Sequence, residues 1–326
     1  MNPGLVIELT TGYWRFKVMA AAVDIGLFAA VDRLDQATSA ELAADLGLQP
    51  RPLRILLSSC TALGFLTKEG DRYRNSPVAA EYLVPGKAQY FGGFVRYNDM
   101  VGYPAWGQLQ EALRTNAPTT SHASFTTSDP VVLDNFWDAL FAISSFTAMA
   151  LADAYDFGRH RNLLDLGGGM GPFPVVLCER YPDLRATVYD LPHVVRKATA
   201  TDRISLHSGD FLIDAELPAG HDVILLSMIL HDWDEQTSRR ILEKCHAALP
   251  SGGAVIICEL VLDDDETGPE IAALMGVNML VETAGGQNWT GAEYREWLTG
   301  AGFRDITTIP LLSAGANAAI VARKQG

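Results

Sequence analysis

The spacing of apolar and polar positions divides this chain into two parts. After Asn162, short apolar runs alternate with helical stretches, and the run over residues 222–228 has the length of a buried parallel strand. This alternation predicts a doubly wound α/β sheet that binds its ligand at the carboxyl ends of the strands. The predicted strands cover residues 163–166, 186–190, 203–207, 222–228, 254–259, 306–311 and 318–322, with an antiparallel hairpin at the end.

The first 95 residues follow a helical pattern that ends in a hairpin. Residues 5–31 form one alanine-rich helical stretch. A capping box opens at Thr38, and a later helix carries an apolar stripe over residues 53–63. Because a hairpin over residues 65–74 follows, the order of elements predicts a winged-helix domain over residues 1–95.

A winged helix can bind DNA or serve as a structural, dimerising module. Its second helix offers only Arg51 and Arg54 as basic residues. The chain of 326 residues carries 39 acidic and 25 basic side chains, a formal charge of −14. Since nucleic acids and anionic membranes repel such a charge, neither is expected as the main partner, and dimerisation is favoured over DNA binding.

The middle of the chain connects the two parts. Residues 115–130 are polar and loop-like, and residues 131–155 predict a long helix that is apolar on most sides. Such a helix is buried between domains or subunits, and core packing alone accounts for its aromatic side chains. The second domain, residues 96–326, therefore divides into connecting helices over 96–160 and the sheet over 161–326.

Cysteine usage and hydropathy predict a cytoplasmic protein. The four cysteines lie far apart and match no zinc-binding spacing, and three of them fall in apolar helical or strand patterns. Buried thiols in a reducing compartment are the expected state. The N-terminus has no basic segment before its first apolar stretch, and no uncharged apolar run approaches the roughly 20 residues of a membrane helix.

A glycine-rich loop after the first predicted strand is the most informative motif. Glycines follow residues 163–166 directly, and Asp190 closes the next strand. Glycines let a ligand approach the backbone, and a carboxylate one strand further on is placed to hold ribose hydroxyls. The loop therefore predicts a nucleoside-cofactor site, with an ordinary turn between strand and helix as the alternative.

The glycine spacing favours one cofactor class. The dinucleotide fingerprint is G-x-G-x-x-G. Here the last glycine comes one position earlier, as Gly167-x-Gly169-x-Gly171, and Asp165 lies inside the incoming strand. This D-x-G-x-G-x-G loop resembles motif I of S-adenosylmethionine (SAM) methyltransferases.

Polar residues follow the later strands as well. His231 is the leading candidate for a general base, because its ordinary pKa is about 6.5 and a phenol must lose its proton to become a good nucleophile. Glu259, at the next strand end, is placed to accept the imidazole N–H; a solvated acid is the alternative. A metal site built on His231 and Asp232 lacks a convincing third ligand. Asp210 and Trp233 suit an adenine ring, and a plain turn aspartate is the alternative for Asp210.

In combination, these segments resemble the plant-type small-molecule O-methyltransferases, the group that contains caffeic acid and acetylserotonin O-methyltransferases and many bacterial natural-product enzymes. The likeness covers nearly the full length, and the segments that carry it are the N-terminal domain and residues 163–171, 189–192, 209–211, 231–233 and 279–286. It implies a Rossmann-like SAM methyltransferase domain, an N-terminal winged-helix dimerisation domain, a homodimer and a role in secondary metabolism.

The resemblance implies roles residue by residue. His231 is then the catalytic base and Glu259 its orienting partner, while Asp190 holds the ribose of SAM, with S-adenosylhomocysteine (SAH) as product. The full set of cofactor-binding candidates is Gly167, Gly169, Asp190, Leu191, Gly209, Asp210, Phe211, Ser227 and Trp233.

One position departs from the family pattern. After the paired glycines, relatives commonly have Glu-Arg-Thr, whereas this chain has Asn288 where the second histidine-flanking glutamate is expected. An amide can orient a ring, but it supplies no balancing negative charge. Asn288 is kept as a third catalytic candidate, and Glu282 either compensates for the lost charge, binds a substrate amine or lies in solvent.

The expected reaction is transfer of the SAM methyl group to a hydroxyl of a small aromatic acceptor, with a phenol favoured. Transfer to carbon or nitrogen uses the same cofactor residues and stays open. The acceptor-pocket candidates are Trp137, Phe141, Met149, Met275, Asn278 and Met279. Rivals from other classes are an NAD-dependent oxidoreductase, a SAM-sensing transcription factor and a SAM-binding protein that has lost transfer.

Overall fold

The computed structural model describes residues 2–87, 89–120 and 130–326. Contacts between residues group the chain into two units. The first unit holds Met1–Pro104 and Ser128–Ala142, and the second holds Ala105–Thr127 and Ile143–Gly326. The boundary expected between residues 95 and 96 stays a prediction, and most of the expected loop over 115–130 lies outside the described residues.

The first unit is mainly helical. Its elements are α1 (Gly4–Asp24), α2 (Leu27–Leu34), β1 (Ala37–Thr38), α3 (Ser39–Leu46), α4 (Pro50–Ala62), β2 (Leu66–Glu69), β3 (Arg72–Asn75), α5 (Pro77–Tyr82) and α6 (Gly92–Tyr97). The three short strands form one sheet in the order β1-β3-β2. The predicted helices and hairpin are therefore present, and β1 adds a strand that the sequence pattern did not predict.

The helical stretch predicted over residues 5–31 is divided into two helices. Gly26 adopts a left-handed φ of 74° and separates α1 from α2. Glycine adopts this conformation without a steric penalty, so the chain turns there although the apolar pattern continues. The capping box is as predicted, since the Thr38 side chain accepts from the N–H of Glu41 and the Glu41 carboxylate accepts from the N–H of Thr38.

The second unit contains the predicted sheet. Its helices are α8 (Leu109–Thr115), α10 (Pro172–Arg180), α11 (Pro192–Val195), α12 (Glu235–Ala248), α13 (Glu270–Glu282) and α14 (Gly291–Gly300). Its strands are β4 (Asn162–Leu166), β5 (Arg185–Asp190), β6 (Ile204–Ser208), β7 (Val223–Ser227), β8 (Ala254–Glu259), β9 (Phe303–Pro310) and β10 (Ala318–Lys324). Two helices, α7 (Tyr103–Trp106) and α9 (Pro130–Ala154), have residues in both units.

The strand order explains where the site forms. The seven strands run in the order β6-β5-β4-β7-β8-β10-β9, with β4 to β8 paired in parallel and β10 antiparallel to both of its neighbours. The carboxyl ends of β5, β4, β7 and β8 therefore lie side by side at one edge. This arrangement confirms the predicted doubly wound α/β fold with a closing hairpin.

Helices α11, α13 and α14 of the second unit were not predicted. Helix α13 is apolar around most of its surface, which hides the helical period, and α14 begins at a capping box formed by Thr290 and Glu293. The start of α14 could have been predicted from the sequence, because a threonine followed three residues later by glutamate is the pattern of a capping box. In the described ranges, no helix is long and apolar enough to cross a membrane.

Candidate active site

The glycine loop turns tightly between β4 and α10. Gly167, Gly169 and Gly171 have φ angles of 73°, 59° and 79°, a region that side chains other than glycine rarely adopt. A Cβ atom on Gly167 would lie 2.4 Å from Ile229 Cδ1. The loop therefore requires glycine, and its backbone can come close to a ligand.

Asp190 ends β5 against this loop. Its Oδ2 accepts a hydrogen bond from the N–H of Gly169 at 2.8 Å, and its Oδ1 accepts one from the N–H of Leu191 at 2.7 Å. Burial raises the pKa of Asp190, and these two hydrogen bonds oppose the rise. Each oxygen keeps a second lone pair, so both can accept from the paired hydroxyls of a ribose.

Asp165 lies under the same loop and is 2% exposed. Burial, followed by the charge of Asp190, raises the pKa of Asp165 to about 8. Its Oδ2 has no hydrogen-bond partner among the described residues. A Cβ atom on Gly168 would lie 2.4 Å from that oxygen, so this position too has room only for glycine.

The turn over residues 209–214 follows β6 and borders the same edge. Asp210 Oδ1 accepts from the N–H of Leu212 at 2.8 Å. The Phe211 ring stands at 90° to the Trp233 ring, with 6.1 Å between centroids. Within the described part of the chain, Trp233 Nε1 is buried without a hydrogen-bond partner. Two crossed aromatic rings and an available N–H suit a flat, hydrogen-bonding ring such as adenine.

His231 and Glu259 come together at the ends of the paired strands β7 and β8. His231 Nδ1 lies 3.1 Å from Glu259 Oε2, and the two residues are 4% and 0% exposed. The distance is within hydrogen-bonding range, and neither atom has another hydrogen-bond partner among the described residues. Electrostatic attraction between the buried groups therefore holds the pair.

The backbone prepares this pocket for a buried carboxylate. Met228 has a φ of 54°, which is unusual for a residue with a side chain. Directly after this turn, the N–H groups of Ile229 and Leu230 donate to Glu259 Oε1 at 2.8 Å and 3.1 Å. Two charge-assisted hydrogen bonds and an adjacent imidazole compensate Glu259 for its removal from water.

Three carboxylates surround the imidazole. Burial alone lowers the pKa of His231, but the charge of Glu259 and then those of Asp232 and Glu282 together raise it to about 9. Asp232 Oδ1 lies 3.6 Å from His231 Nε2. Burial, followed by the charge of Asp232, raises the pKa of Glu282 to about 7. Glu282 is therefore an electrostatic neighbour of the histidine rather than a solvated acid.

Asn288 is buried near these groups, with 4% exposure. Its Nδ2 donates to the carbonyl of Leu260, and its Oδ1 is buried without a partner among the described residues. The amide is thus oriented by the backbone of Leu260 and makes no hydrogen bond with His231. Its expected role in orienting the ring stays a prediction.

Helix α13 carries three of the acceptor-pocket candidates. Met275, Asn278 and Met279 are spaced by three and four residues along one side of the helix. Asn278 Oδ1 accepts from Trp106 Nε1 at 2.8 Å. Trp106 was not among the predicted site residues, and no local signal points to it, because the two partners lie 172 residues apart.

The remaining candidates are more scattered. Ser227 ends β7 opposite Cys258, and Met149 is 39% exposed on the part of α9 that belongs to the second unit. Trp137 and Phe141 belong to the first unit, so their role stays a prediction. In the part of the chain that the structure describes, no group of His, Cys, Asp or Glu side chains is arranged to hold a metal ion.

At the strand ends of this fold, the glycine loop, Asp190 and the crossed rings of Phe211 and Trp233 suit a cofactor that contains adenosine. Residues 106–304 match the O-methyltransferase domain, and residues 7–85 match the O-methyltransferase dimerisation domain. The chain belongs to the O-methyltransferase family.

Characterised relatives match over nearly the whole chain. A 3-hydroxy-5-methyl-1-naphthoate 3-O-methyltransferase of Streptomyces sahachiroi is 45% identical, over 99% of this chain and 95% of its own. A Bos taurus acetylserotonin O-methyltransferase is 31% identical, over 98% and 97% of the two chains. A 3-amino-4-hydroxybenzoate 4-O-methyltransferase of Streptomyces cremeus is 32% identical, over 94% and 87%.

A solved structure agrees with the fold and the cofactor. Human N-acetylserotonin methyltransferase in complex with SAM superposes with a TM-score of 0.87 at 28% identity, over 99% of this chain and 97% of that one. The protein is therefore an enzyme that uses SAM as methyl donor, as the sequence predicted.

Proposed function

We propose that this enzyme methylates a phenolic hydroxyl of a small, carboxylated aromatic acceptor and that His231 is the general base. The observation that carries the proposal is the buried pair of His231 and Glu259 beside the cofactor loop. Support for the acceptor class comes from the two Streptomyces relatives, which act on a hydroxynaphthoate and an aminohydroxybenzoate.

The chain's own contribution to the reaction is to bind, orient and deprotonate. SAM, when bound, supplies a methyl group that its positively charged sulfur activates for displacement. His231 Nε2 receives the acceptor proton, because Nδ1 faces Glu259: the phenolic O–H bond breaks as an N–H bond forms. Glu259 then stabilises the imidazolium. Alignment of the two substrates contributes strongly, since effective molarities of well-oriented groups exceed about 10⁵ M.

The proposed cofactor contacts follow the geometry of the strand ends. Asp190 holds the ribose, Gly167 and Gly169 contact the amino-acid end, and Asp210, Phe211 and Trp233 enclose the adenine. The remaining proposed contacts are made by Leu191, Gly209 and Ser227. The amide of Asn278 faces the acceptor together with the thioethers of Met275 and Met279.

A homodimer formed through the first unit is part of the proposal. The match to a dimerisation domain supports it, as does an exposed apolar surface on α1. Leu5, Ile7, Leu9 and Trp14 are 68%, 59%, 69% and 59% exposed, more than a surface helix normally leaves uncovered. Sedimentation equilibrium tests it: a dimer that a double Leu5→Glu, Leu9→Glu variant dissociates is expected, and a monomeric wild type would contradict it.

The proposed setting is a reducing cytoplasm. All four cysteines are buried and unpaired, and burial raises the pKa of Cys60 to about 11, which keeps it in the unreactive thiol form.

Acceptor assays test the reaction. The enzyme is incubated with SAM and 3-hydroxy-1-naphthoate, its 3-amino analogue, or 1-naphthoate, and products are assigned by mass spectrometry and NMR. A methyl ether from the first compound alone is expected. Methylation of ring carbon or of the amine in preference to the hydroxyl would contradict the proposal, as would failure on a panel of hydroxynaphthoates and hydroxybenzoates by protein that binds SAH.

A further inference from the structure

We propose that Lys244 is a positioning residue for the cofactor: it fixes the turn over residues 209–214 in the shape that presents Asp210 and Phe211 to the adenine. This inference rests on the proposed roles of Asp210 and Phe211. Lys244 itself lies on α12 and belongs to none of the motifs that identify the cofactor site.

The contacts of Lys244 point to the turn. Its Nζ donates to the carbonyl oxygen of Phe211 at 2.7 Å and to that of Asp214 at 2.6 Å. These carbonyls are 33 and 30 residues away along the chain. An ammonium group has three donors and no acceptor, so two of its donors are committed to the backbone of one turn. Such charge-assisted hydrogen bonds are stronger than those between neutral groups.

A second attachment holds the other side of the turn. Asp214 Oδ2 accepts from Tyr189 Oη at 2.5 Å and from the N–H of Asp210 at 3.1 Å. Tyr189 is fully buried in β5, one residue before Asp190. The turn is thus tied to β5 by Tyr189 and to α12 by Lys244.

The electrostatics favour the same arrangement. The hydrogen bonds from Tyr189 and the N–H of Asp210, followed in effect by the charge of Lys244, lower the pKa of Asp214. Asp214 therefore stays ionised at neutral pH and remains a strong acceptor for both of its donors. Loss of the Lys244 charge removes its own bonds to the turn. It also weakens the bond from Tyr189, because it raises the pKa of Asp214.

The bond to Phe211 is what separates positioning from general stabilisation. Lys244 holds the backbone carbonyl of the residue whose ring meets Trp233 edge to face. When that carbonyl is released, the ring and the neighbouring Asp210 are free to leave the binding geometry. A ligand must then order the turn itself, and this cost appears as weaker binding.

The chain offers a matched control in Lys324. Its Nζ also donates to two backbone carbonyls, those of His246 and Leu249, at 2.7 Å each. Like Lys244, it is partly buried. These contacts are at the C-terminal end of α12, and neither of them is made to the turn over residues 209–214. A Lys324→Met variant therefore removes the same type and number of bonds without touching the cofactor contacts.

Calorimetric titration with SAH on the purified full chain tests the inference. Lys244→Met is expected to raise the dissociation constant of SAH about tenfold, because charge-assisted bonds to the turn are lost. Lys324→Met is expected to leave it unchanged although both variants lower the melting temperature. An unchanged SAH constant in Lys244→Met, or equal losses in both variants, would overturn the inference. Lys244→Arg keeps the charge and several donors and is expected to retain most of the SAH affinity. It serves as the control for a folding defect caused by substitution at this position.

A double-mutant cycle separates this inference from the proposed function. Phe211→Ala and Lys244→Met are measured singly and together. If Lys244 acts through the turn, the double variant loses less SAH affinity than the two single losses combined. Fully additive losses would overturn the positioning role while leaving the cofactor assignment intact. An unchanged affinity in Phe211→Ala would instead overturn the proposed role of Phe211, and the inference with it.

Discussion

The cofactor side and the base side of this site hold their polar atoms in different ways. On the cofactor side, Asp190 and Asp210 accept directed hydrogen bonds from nearby backbone N–H groups. On the base side, His231 Nδ1, Glu259 Oε2 and Asn288 Oδ1 are all buried without such partners among the described residues. Backbone N–H groups also hold Glu259 Oε1 on the base side. The atoms by which His231 and Glu259 face each other, however, are held by charge and close packing rather than by the backbone.

The difference corresponds to what each region has to do. A cofactor pocket binds the same ligand in every cycle, so a fixed arrangement saves the cost of ordering it. A general base changes its charge in every cycle, and full hydrogen bonding of one protonation state would oppose that change. Asp165 Oδ2 and Trp233 Nε1 are exceptions on the cofactor side, because both atoms are buried and unpaired within the described ranges.

Removal of the base gives the largest expected effect. His231→Gln is expected to lower kcat by about 10²- to 10⁴-fold, the range that general acid–base catalysis contributes. SAH affinity stays within about threefold, because sites that share no contacts behave independently. His246→Gln, the same substitution on α12, serves as control and keeps near-normal turnover. Retention of more than about a tenth of kcat in His231→Gln would contradict the assignment.

The next largest effect is expected on the cofactor side, as a loss of SAH affinity. Asp190→Ala is expected to weaken SAH binding about 100-fold, because the hydrogen bonds that two ribose hydroxyls donate to the charged carboxylate are lost. The KM for the acceptor changes little. Calorimetry with SAH measures the first quantity and steady-state kinetics the second. Asp202→Ala is the control, because it removes an exposed carboxylate at the other end of the connection between β5 and β6. Equal losses in both variants would contradict the ribose assignment.

The main residues of both regions could be predicted from the sequence. The glycine loop and Asp190 were readable because their chemistry lies in short, contiguous stretches. The meeting of His231 and Glu259 was predictable too, since the carboxyl ends of neighbouring parallel strands lie at one edge of a sheet.

Contacts that depend on tertiary packing were beyond the sequence. Nothing local pairs Trp106 with Asn278 or places Lys244 on the turn over residues 209–214, because these partners are brought together only when helices pack on the finished sheet. The helix break at Gly26 was missed for a related reason: the apolar pattern runs through it, and only the backbone angle reveals the turn.

The pH dependence follows from the charge around His231. Because the pKa of His231 is raised to about 9, the free enzyme holds an imidazolium at neutral pH and must lose that proton before it can act as a base. kcat/KM is therefore expected to rise about tenfold per pH unit until near pH 9. In Glu282→Gln this rise of kcat/KM with pH (the ascending limb of the profile) is expected at lower pH, because one negative charge near His231 is gone. Glu270→Gln, which changes an exposed residue at the start of α13, is expected to leave the limb in place.

Acceptors of different acidity separate the enzyme's ionisation from that of the substrate. The limb stays at one pH for phenols of different pKa if it belongs to His231. The role of charge on the base side would be contradicted if the pH of the limb changed with the pKa of the phenol. It would also be contradicted if Glu282→Gln left the limb at the same pH.

Substitution of Asn288 has the smallest expected effect and tests directly whether charge holds the base side. Asn288→Glu adds a carboxylate to a region that already holds those of Asp232, Glu259 and Glu282. A further negative charge near His231 raises its pKa, so the neutral base becomes scarcer at pH 7 and kcat/KM falls by about threefold there, with recovery at higher pH. Asn288→Gln, which adds bulk without charge, leaves the pH limb in place. An Asn288→Glu enzyme that is faster at pH 7 would show that this chain lacks a charge rather than balances it with Asp232 and Glu282.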